Sequence, residues 1–260
     1  MDGGWPREAA DSVGNMTSLV GLALRYVDVG PLPADDAPVW AGLRALEYIS
    51  IICDDEGADV PQALRRASKL EVLQVMRSKP SIQDMDVLAS LPALRKLFVY
   101  AMPNGLPPSV RCVSVDEQWP QEAADVLGNM TSLVGLELGT GFGPPLLADD
   151  APVWAGLRAF KGSSLAVAEE GGELPKALRR ASKLEVLDMW VRQPSAQDVD
   201  LLTTLPALRK LFLYTGEASG PASEAILNDC RRAMPQVEVL LADSDDQGEA
   251  FFNLALASGT

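Results

Sequence analysis

The clearest pattern of hydrophobic and polar positions lies between residues 88 and 100. Leucines at positions 88, 91, 94 and 97 recur every three residues, and the apolar spacing then shortens to two at Leu97 and Val99. A spacing of three to four residues is typical of a helix face, whereas a spacing of two is typical of a strand. Pro92 opposes a helix interior, because proline lacks a backbone N–H donor and clashes with the preceding turn. The pattern therefore predicts a helix end, a turn and a short strand that points Leu94, Leu97 and Val99 into a core.

The same stretch occurs twice in the chain. Residues 91–100 read LPALRKLFVY, and residues 205–214 read LPALRKLFLY, 114 positions later. Residues 5–46 align without gaps on residues 119–160, and roughly 30 of the 42 positions are identical. Such identity indicates a recent duplication of a block of 114 residues.

A shorter period lies inside each block. The motif Leu-x-x-Leu-x-apolar starts at positions 19, 43, 70 and 94, with a weaker match at Val110. In the second block it starts at positions 133, 157, 184 and 208, and residues 237–240 close the series, with Glu238 and Leu241 expected on the outer face of the strand. The steps are 24, 27 and 24 residues in both blocks, a suitable length for a strand and its return. The 16-residue step from 94 to 110 is too short for a full turn with a helix.

The segments between the motifs are predicted to form short helices or turns on the other side of the core. Candidates are residues 59–68, 81–91, 195–205 and 223–232, together with residues 34–43 and 148–157. Trp40 and Trp154, in the last two segments, are predicted to be core wedges. Open ends of a repeat array expose core, so residues 6–13 and 249–256 are predicted to cover the first and last repeats.

With nine to ten copies of this motif at a regular spacing, the chain resembles the leucine-rich-repeat superfamily over nearly its whole length. The resemblance implies an α/β fold, a right-handed leucine-rich-repeat solenoid (horseshoe) with a concave parallel β-sheet and convex short helices or turns. We expect one solenoid over residues 1–260, with a first block at 1–114, a second block at 115–242 and a C-terminal cap or tail at 243–260. The Asn or Cys that usually follows the strand in this family is absent, so a regular asparagine ladder is not expected.

The charge of the chain is acidic and uneven. The formal net charge is −14, of which residues 1–114 carry −3 (11 basic and 14 acidic side chains) and residues 115–260 carry −11. Such a field repels nucleic acid and anionic membranes, so neither is expected as a partner. The sequence has no signal peptide and no stretch of about 18 apolar residues, and its three cysteines are far apart. We therefore expect an intracellular protein, cytoplasmic by default, with reduced core cysteines.

The residue types and motifs that enzymes most often use are missing. The chain contains no histidine, which excludes Ser-His-Asp and Cys-His catalysis and histidine-ligated metals. It has no phosphate-binding glycine loop, and its paired acids, such as those at 35–36 and 149–150, are typical of solvated loops. We expect no catalytic site, no cofactor and no metal site. The chain is predicted not to be an enzyme.

A binding surface remains, because the x positions of each strand motif point away from the core. Exposed aromatic residues beside cations are the usual anchors of protein interfaces. The alternative is that these aromatic residues pack on neighbouring strands in an ordinary lateral ladder, and the sequence leaves both open. The predicted partner-binding residues on the concave face are Arg95, Lys96, Phe98, Tyr100, Glu185, Asp188, Trp190, Arg209, Lys210, Phe212 and Tyr214.

Together these features predict a non-catalytic protein-recognition module. It is expected to bind a protein partner of unknown identity through the concave face and the strand-exit loops. Two alternatives stay open: a structural subunit docked permanently in a larger assembly, and an acidic inhibitor of a basic enzyme. An apolar patch at either end of the array favours the docked subunit, whereas strong salt dependence of binding favours the inhibitor.

Overall fold

A computed structural model describes ten stretches of the chain. They are residues 7–25, 33–49, 62–76, 82–99, 106–115, 121–139, 147–162, 176–190, 195–214 and 221–241. The chain divides into two compact units, Met1–Val115 and Asp116–Thr260, which we call unit 1 and unit 2. The expectation of a single solenoid over residues 1–260 stays a prediction, and the predicted cover at 249–256 lies outside the described residues.

The described residues of unit 1 form five parallel strands, each paired with the next one along the chain. Parallel neighbours require every connection to return to the same end of the sheet, and short helices and turns make that return. The strands are β1 (Gly21–Arg25), β2 (Ala45–Ile49), β3 (Val72–Met76), β4 (Lys96–Val99) and β5 (Cys112–Val115). The helices are α1 (Arg7–Gly14), α2 (Val39–Gly42), a 3₁₀ helix (Gln62–Arg66) and α3 (Ile82–Ala89).

Unit 2 repeats this order with five parallel strands and one further helix. Its strands are β6 (Gly135–Leu138), β7 (Ala159–Gly162), β8 (Val186–Trp190), β9 (Lys210–Tyr214) and β10 (Glu238–Leu241). Its helices are α4 (Gln121–Gly128), two 3₁₀ helices (Pro152–Ala155 and Lys176–Arg180), α5 (Ala196–Thr203) and α6 (Pro221–Ala233). None of the helices in the described ranges is long and apolar enough to cross a membrane.

The leucines of the motif form the core of both units. Leu94 precedes β4 and is 0% exposed, and Leu97 lies inside β4 and is 1% exposed. Burial of a leucine side chain contributes up to about 1.5–3 kcal/mol, so a row of such leucines holds each sheet against its helices. The motif therefore coincides with one strand per repeat, and the predicted α/β leucine-rich-repeat architecture is confirmed.

The hydrogen-bond ladder begins one residue before each strand. The Glu71 carbonyl accepts hydrogen bonds from the backbone N–H groups of Arg95 (2.9 Å) and Lys96 (3.0 Å). In unit 2, the Glu185 carbonyl accepts the same pair of bonds, at 2.9 and 3.0 Å, from Arg209 and Lys210. This shared geometry fixes the residue before each strand beside its counterpart on the neighbouring strand.

Trp40 and Trp154 are core wedges, as predicted. They are 1% and 2% exposed, and each satisfies its indole N–H with a backbone carbonyl six residues earlier in the chain. In unit 2, Trp154 also meets Phe160 edge to face, with ring centroids 5.3 Å apart. Leu46 occupies the matching position in unit 1.

The register of the last strand differs from the prediction. Val239 pairs with Leu211 and is 2% exposed, whereas Leu240 pairs with Phe212 and is buried less deeply, in the row that faces away from the helices. Leu240, rather than Leu241, therefore lies at the central outward position of β10. The spacing of three between Val237 and Leu240 suggested otherwise, but pairing with β9 fixes a period of two from Val239.

Helix α6 has no counterpart among the described residues between β4 and β5. It places Cys230 in the core, where the thiol is buried and free. Burial raises the pKa of the Cys230 thiol above its ordinary value of 9.0, and the negative charge of Asp229 raises it further. The thiol therefore stays protonated at neutral pH, which makes it a poor nucleophile.

Candidate binding face

Each sheet has a buried side and a second side, which we call the open face. In β4, Leu97 and Val99 are buried, whereas Lys96 and Phe98 between them are half-exposed. Successive side chains of a strand point to opposite sides, so Lys96 and Phe98 lie on the open face. This is the side that the sequence predicts to be concave.

Parallel pairing lines up one open-face residue from each strand into a central row. Residues of this row have neighbours on both adjacent strands, so their side chains interact laterally. In unit 1 the central row is Ala23, Glu47, Gln74, Phe98 and Ser114. In unit 2 it is Glu137, Lys161, Asp188, Phe212 and Leu240.

The predicted partner-binding residues whose side chains the structure describes fall on the open face or beside it. Arg95 and Arg209 are exposed, and Glu185 is half-buried, in the position just before the strand. Half-exposed positions within the strands hold Lys96, Phe98, Lys210 and Phe212, whereas Asp188 is buried. Trp190 pairs with Tyr214 across β8 and β9, and only the strand positions of these two are described. Tyr100 lies outside the described residues, and a binding role for the whole set stays a prediction.

Glu137 and Lys161, which are not among the predicted partner-binding residues, also lie in the central row of the open face. The Lys161 Nζ lies 3.0 Å from Glu137 Oε1, and their side chains are only 10% and 15% exposed. Asp188 is next to Lys161 in the central row and is 8% exposed. The open face of unit 2 thus carries a row of largely buried charges in which the Lys161 cation lies between two acidic positions.

A signal for this row was present in the sequence. Duplication makes each residue comparable with the one 114 positions later, and all of the first three central-row positions differ between the copies. Ala23, Glu47 and Gln74 correspond to Glu137, Lys161 and Asp188. Many other positions differ between the copies as well, so only the observed pairing shows that these three share a row.

The residues just before the strands form a second row of ion pairs. In unit 1, Arg44 Nη1 lies 3.7 Å from Glu71 Oε1, with both side chains about half exposed, at 61% and 47%. In unit 2, Arg158 Nη1 lies 3.4 Å from Glu185 Oε1, at 31% and 20% exposure. The same pair is therefore shorter and better shielded from water in unit 2.

Charged side chains described on the open face pair with one another across neighbouring strands. Within the described ranges, no group of three or more His, Cys, Asp or Glu side chains is placed to hold a metal ion.

The third buried charged residue among those described, Asp198, lies in the capping box that begins α5. Its carboxylate accepts hydrogen bonds from the Ser195 N–H (2.7 Å) and hydroxyl (2.8 Å).

Comparisons with known proteins give structural neighbours only. No protein-family model matches the chain, and no curated protein matches its sequence. An internalin (inlF) from Listeria monocytogenes is 15% identical with a TM-score of 0.49, and the match covers 90% of this chain and 64% of that one. Internalin C2 from the same organism is 16% identical with a TM-score of 0.40, covering 86% of this chain and 80% of that one.

A plant peptide hormone receptor, RGFR1 in complex with RGF2, is 14% identical with a TM-score of 0.36, and the match covers 86% of this chain and 45% of that one. The chain thus spans less than two thirds of the length of the inlF internalin. At these identities and scores the neighbours transfer neither residues nor partners. The assignment of the fold stands on the repeat motif and the strand pairing described above.

Proposed function

We propose that the chain is a non-catalytic protein-recognition module that binds a protein partner through the open face and the loops that follow the strands. The observation that carries this proposal is the pair Phe98 and Phe212. Each is a half-exposed aromatic ring in the middle of a parallel sheet, two positions after a lysine and three after an arginine. Phenylalanine and arginine are enriched in protein interfaces relative to the rest of the protein surface.

The backbone around these rings supports the proposal. Both phenylalanines lie inside strands paired on both sides, so their positions are fixed before a partner arrives. A surface that is already ordered loses little conformational entropy on binding, which favours affinity. Neither nucleic acid nor a membrane is proposed as a partner, because the net charge of −14 repels both.

The test is capture of a partner from native lysate with the full chain, followed by identification of the captured protein by mass spectrometry. The variant Phe98→Ala/Phe212→Ala removes both rings. Its matched control is Arg65→Ala/Arg179→Ala, which changes one exposed residue in each unit on the 3₁₀ helices, on the other side of the core. We expect the partner to be kept by the control and lost by the phenylalanine variant, with circular dichroism showing both folded. Retention of the partner by the phenylalanine variant contradicts the proposal.

One observation favours a second candidate, a structural subunit docked in a larger assembly. Met16 and Val20, at the β1 edge of unit 1, are 46% and 54% exposed. The Val20 carbonyl already accepts hydrogen bonds from the Arg44 and Ala45 N–H groups, so the side chain can be changed without loss of the ladder. If this edge docks permanently, Met16→Gln/Val20→Gln should shift the native protein from a large species to a monomer in size-exclusion chromatography. A wild-type monomer contradicts the docked-subunit candidate.

The acidic-inhibitor alternative stays a prediction without support from the open face of unit 2. Counting the central row, the residue before each strand and the first residue of each strand, the described acids and bases balance at four each. The acids are Glu137, Glu185, Asp188 and Glu238, and the bases are Arg158, Lys161, Arg209 and Lys210. The acidic excess of residues 115–260 therefore lies elsewhere in the unit.

A further inference from the structure

One pentapeptide, Leu-Arg-Lys-Leu-Phe, occurs at residues 94–98 and 208–212, on the fourth strand of each unit. Its backbone geometry is the same in both copies, including the pair of hydrogen bonds to the preceding strand. What differs is the fifth strand beside it. The two copies therefore present the same cations in different electrostatic surroundings.

In unit 1 the fifth strand adds a cation. The N–H groups of Arg111 and Cys112 donate to the Arg95 carbonyl at 2.8 and 2.9 Å, which places Arg111 directly beside Arg95. Arg95 and Arg111 are both exposed, and Lys96 is half-exposed. We call Arg95, Lys96 and Arg111 the cationic patch; Phe98 follows Lys96 on the same face.

In unit 2 the fifth strand adds an acidic residue beside the pentapeptide instead of a cation. Val237, which is 7% exposed, takes the position of Arg111, and Glu238 takes the position of Cys112. The Glu238 Oε2 lies 3.3 Å from the Lys210 Nζ, so the cation of the copied pentapeptide is paired within the sheet.

The formal charges at matching positions express this difference. Over the central row, the residue before each strand and the first residue of each strand, four cations and two acids give +2 in unit 1, whereas four cations and four acids give 0 in unit 2. The charged residues are Arg44, Glu47, Glu71, Arg95, Lys96 and Arg111 in unit 1, and Glu137, Arg158, Lys161, Glu185, Asp188, Arg209, Lys210 and Glu238 in unit 2. A local excess of positive charge in a chain of net charge −14 is a feature that the overall composition conceals.

We propose that the open face of unit 1, at the cationic patch and Phe98, binds an acidic, partly apolar segment of the protein partner. This inference rests on the proposed recognition function and adds the chemistry of the partner. Arginine side chains hydrogen-bond carboxylates with two parallel N–H groups, and an adjacent aromatic ring accepts an apolar side chain. Five strands spaced about 4.8 Å apart span about 19 Å, which an extended segment of about six residues matches.

The charge distribution favours a protein segment over a polyanion such as nucleic acid or an anionic membrane. Electrostatic interactions extend about 10 Å at 0.1 M ionic strength, so a short segment on the patch interacts mainly with the local cations. An extended polyanion reaches beyond the patch to the rest of a chain with 36 acidic and 22 basic residues, and the net charge of −14 opposes that contact.

The test uses the full chain and a fluorescein-labelled peptide of alternating glutamate and leucine, about six residues long. Affinity is measured by fluorescence anisotropy at low salt and at about 0.15 M salt. The variant Arg95→Gln/Arg111→Gln removes two exposed cations from the patch. The control Arg65→Gln/Arg66→Gln removes two exposed cations from the 3₁₀ helix of the same unit, so that both variants carry the same net charge.

We expect the patch variant to weaken peptide binding by about tenfold or more, and the control to weaken it by less than about twofold. In unit 2, Glu238→Gln is expected to tighten binding, because it frees Lys210. Four results overturn the proposal: no binding by the wild type, equal losses in the two double variants, equal affinity for the peptide with glutamine in place of glutamate, or tighter patch-dependent binding of duplex DNA or anionic phospholipid vesicles.

The same variants separate this inference from the proposed function. If Phe98→Ala/Phe212→Ala loses the captured partner while Arg95→Gln/Arg111→Gln keeps it, recognition by the open face stands and the acidic segment is wrong. If both variants keep the partner, the proposed function itself is wrong. If both lose it, and a peptide copied from the partner's acidic segment competes with the partner for the full chain, both proposals are supported.

Discussion

The two units share a core and differ on the open face. Leu73 and Leu187, which correspond across the duplication, are both 0% exposed, and Leu97 and Leu211 are 1% and 0% exposed. On the central row, the three positions before the phenylalanine are Ala, Glu and Gln in unit 1 but Glu, Lys and Asp in unit 2. The copies kept the scaffold and diverged on the surface.

This difference shows which constraints act at each kind of position. A core leucine is surrounded on all sides at close packing, so a change of volume costs free energy directly. A residue on the open face is constrained chiefly by the neighbours in its own row. In unit 2 these neighbours are charged residues that face one another, with the Lys161 cation between Glu137 and Asp188.

The largest expected effect compares the two tryptophan wedges. Trp40→Ala and Trp154→Ala should each destabilise the protein by about 3–5 kcal/mol, because each removes a large buried side chain. Trp154→Ala should cost more, by about 0.5–1.5 kcal/mol, because Trp154 has an edge-to-face partner in Phe160 where unit 1 has Leu46. Denaturant unfolding followed by far-UV circular dichroism measures both. Equal costs would show that the aromatic pair adds nothing to the core of unit 2.

The next effect concerns the buried charge row of unit 2. Lys161→Ala leaves the Glu137 carboxylate in a poorly solvated position and should destabilise the protein by about 3 kcal/mol. The more exposed pair Lys210–Glu238 gives the comparison, since Lys210→Ala should cost less than about 1 kcal/mol. Adding Glu137→Gln to Lys161→Ala should restore part of the loss. A cost for Lys161→Ala as small as that for Lys210→Ala contradicts a buried row that stabilises the sheet.

Two corresponding glycines test whether the scaffold is the same in both copies. A Cβ at Gly42 would lie 2.9 Å from the Thr17 carbonyl oxygen, and a Cβ at Gly156 would lie 3.0 Å from those of Leu133 and Thr131. Backbone atoms cannot move aside cheaply, so Gly42→Ala and Gly156→Ala should each cost about 1–3 kcal/mol. Gly21→Ala is the control, because its nearest such contact is at 4.0 Å. Thermal melts of the three variants check this, and unequal costs at Gly42 and Gly156 would show that the scaffolds have diverged.

The smallest expected effect lies in the ion pairs beside the central row. Solvent screens both pairs, but Arg158–Glu185 is less exposed than Arg44–Glu71. Double-mutant cycles should give a coupling free energy of about 0.5 kcal/mol for the first and about 0.2 kcal/mol for the second. Added salt should reduce the Arg44–Glu71 coupling more. The reverse order would mean that burial does not distinguish the two copies.

Much of the fold could be predicted because the repeat motif occurs many times in the chain, and each copy predicts one strand. A strand with one buried side is indicated by Leu94, Leu97 and Val99, and the copy at 208–213 shows the same pattern. The last strand could not be placed in this way, since Val237, Val239 and Leu240 are all apolar and periods of two and three fit equally well. Pairing with β9 was needed to decide between them.

The candidate site was predicted only in outline. The sequence identifies Phe98 and Phe212 as outward aromatic residues beside cations, and both are half-exposed on the open face. It does not show which charges meet, because Glu137 and Lys161 come from different repeats and their contact depends on strand register.

The sequence also does not show which residues surround Lys96 and its copy Lys210, because those neighbours again depend on strand register. Lys210 pairs in register with Glu238, whereas its copy Lys96 pairs in register with Cys112. The step from the fourth motif to the fifth differs in length between the blocks, so the duplication does not reveal which residues correspond on the fifth strand.

The repeat, its duplication and most of the core residues can be identified in the sequence without the structure, because hydrophobic periodicity is a local property of the chain. The tertiary structure alone decided which charges are buried together on the open face and which copy of the pentapeptide sits beside Arg111 or Glu238. Those neighbours come from different strands. Their interaction depends on distances of a few ångströms across the sheet, which only the register of paired strands fixes.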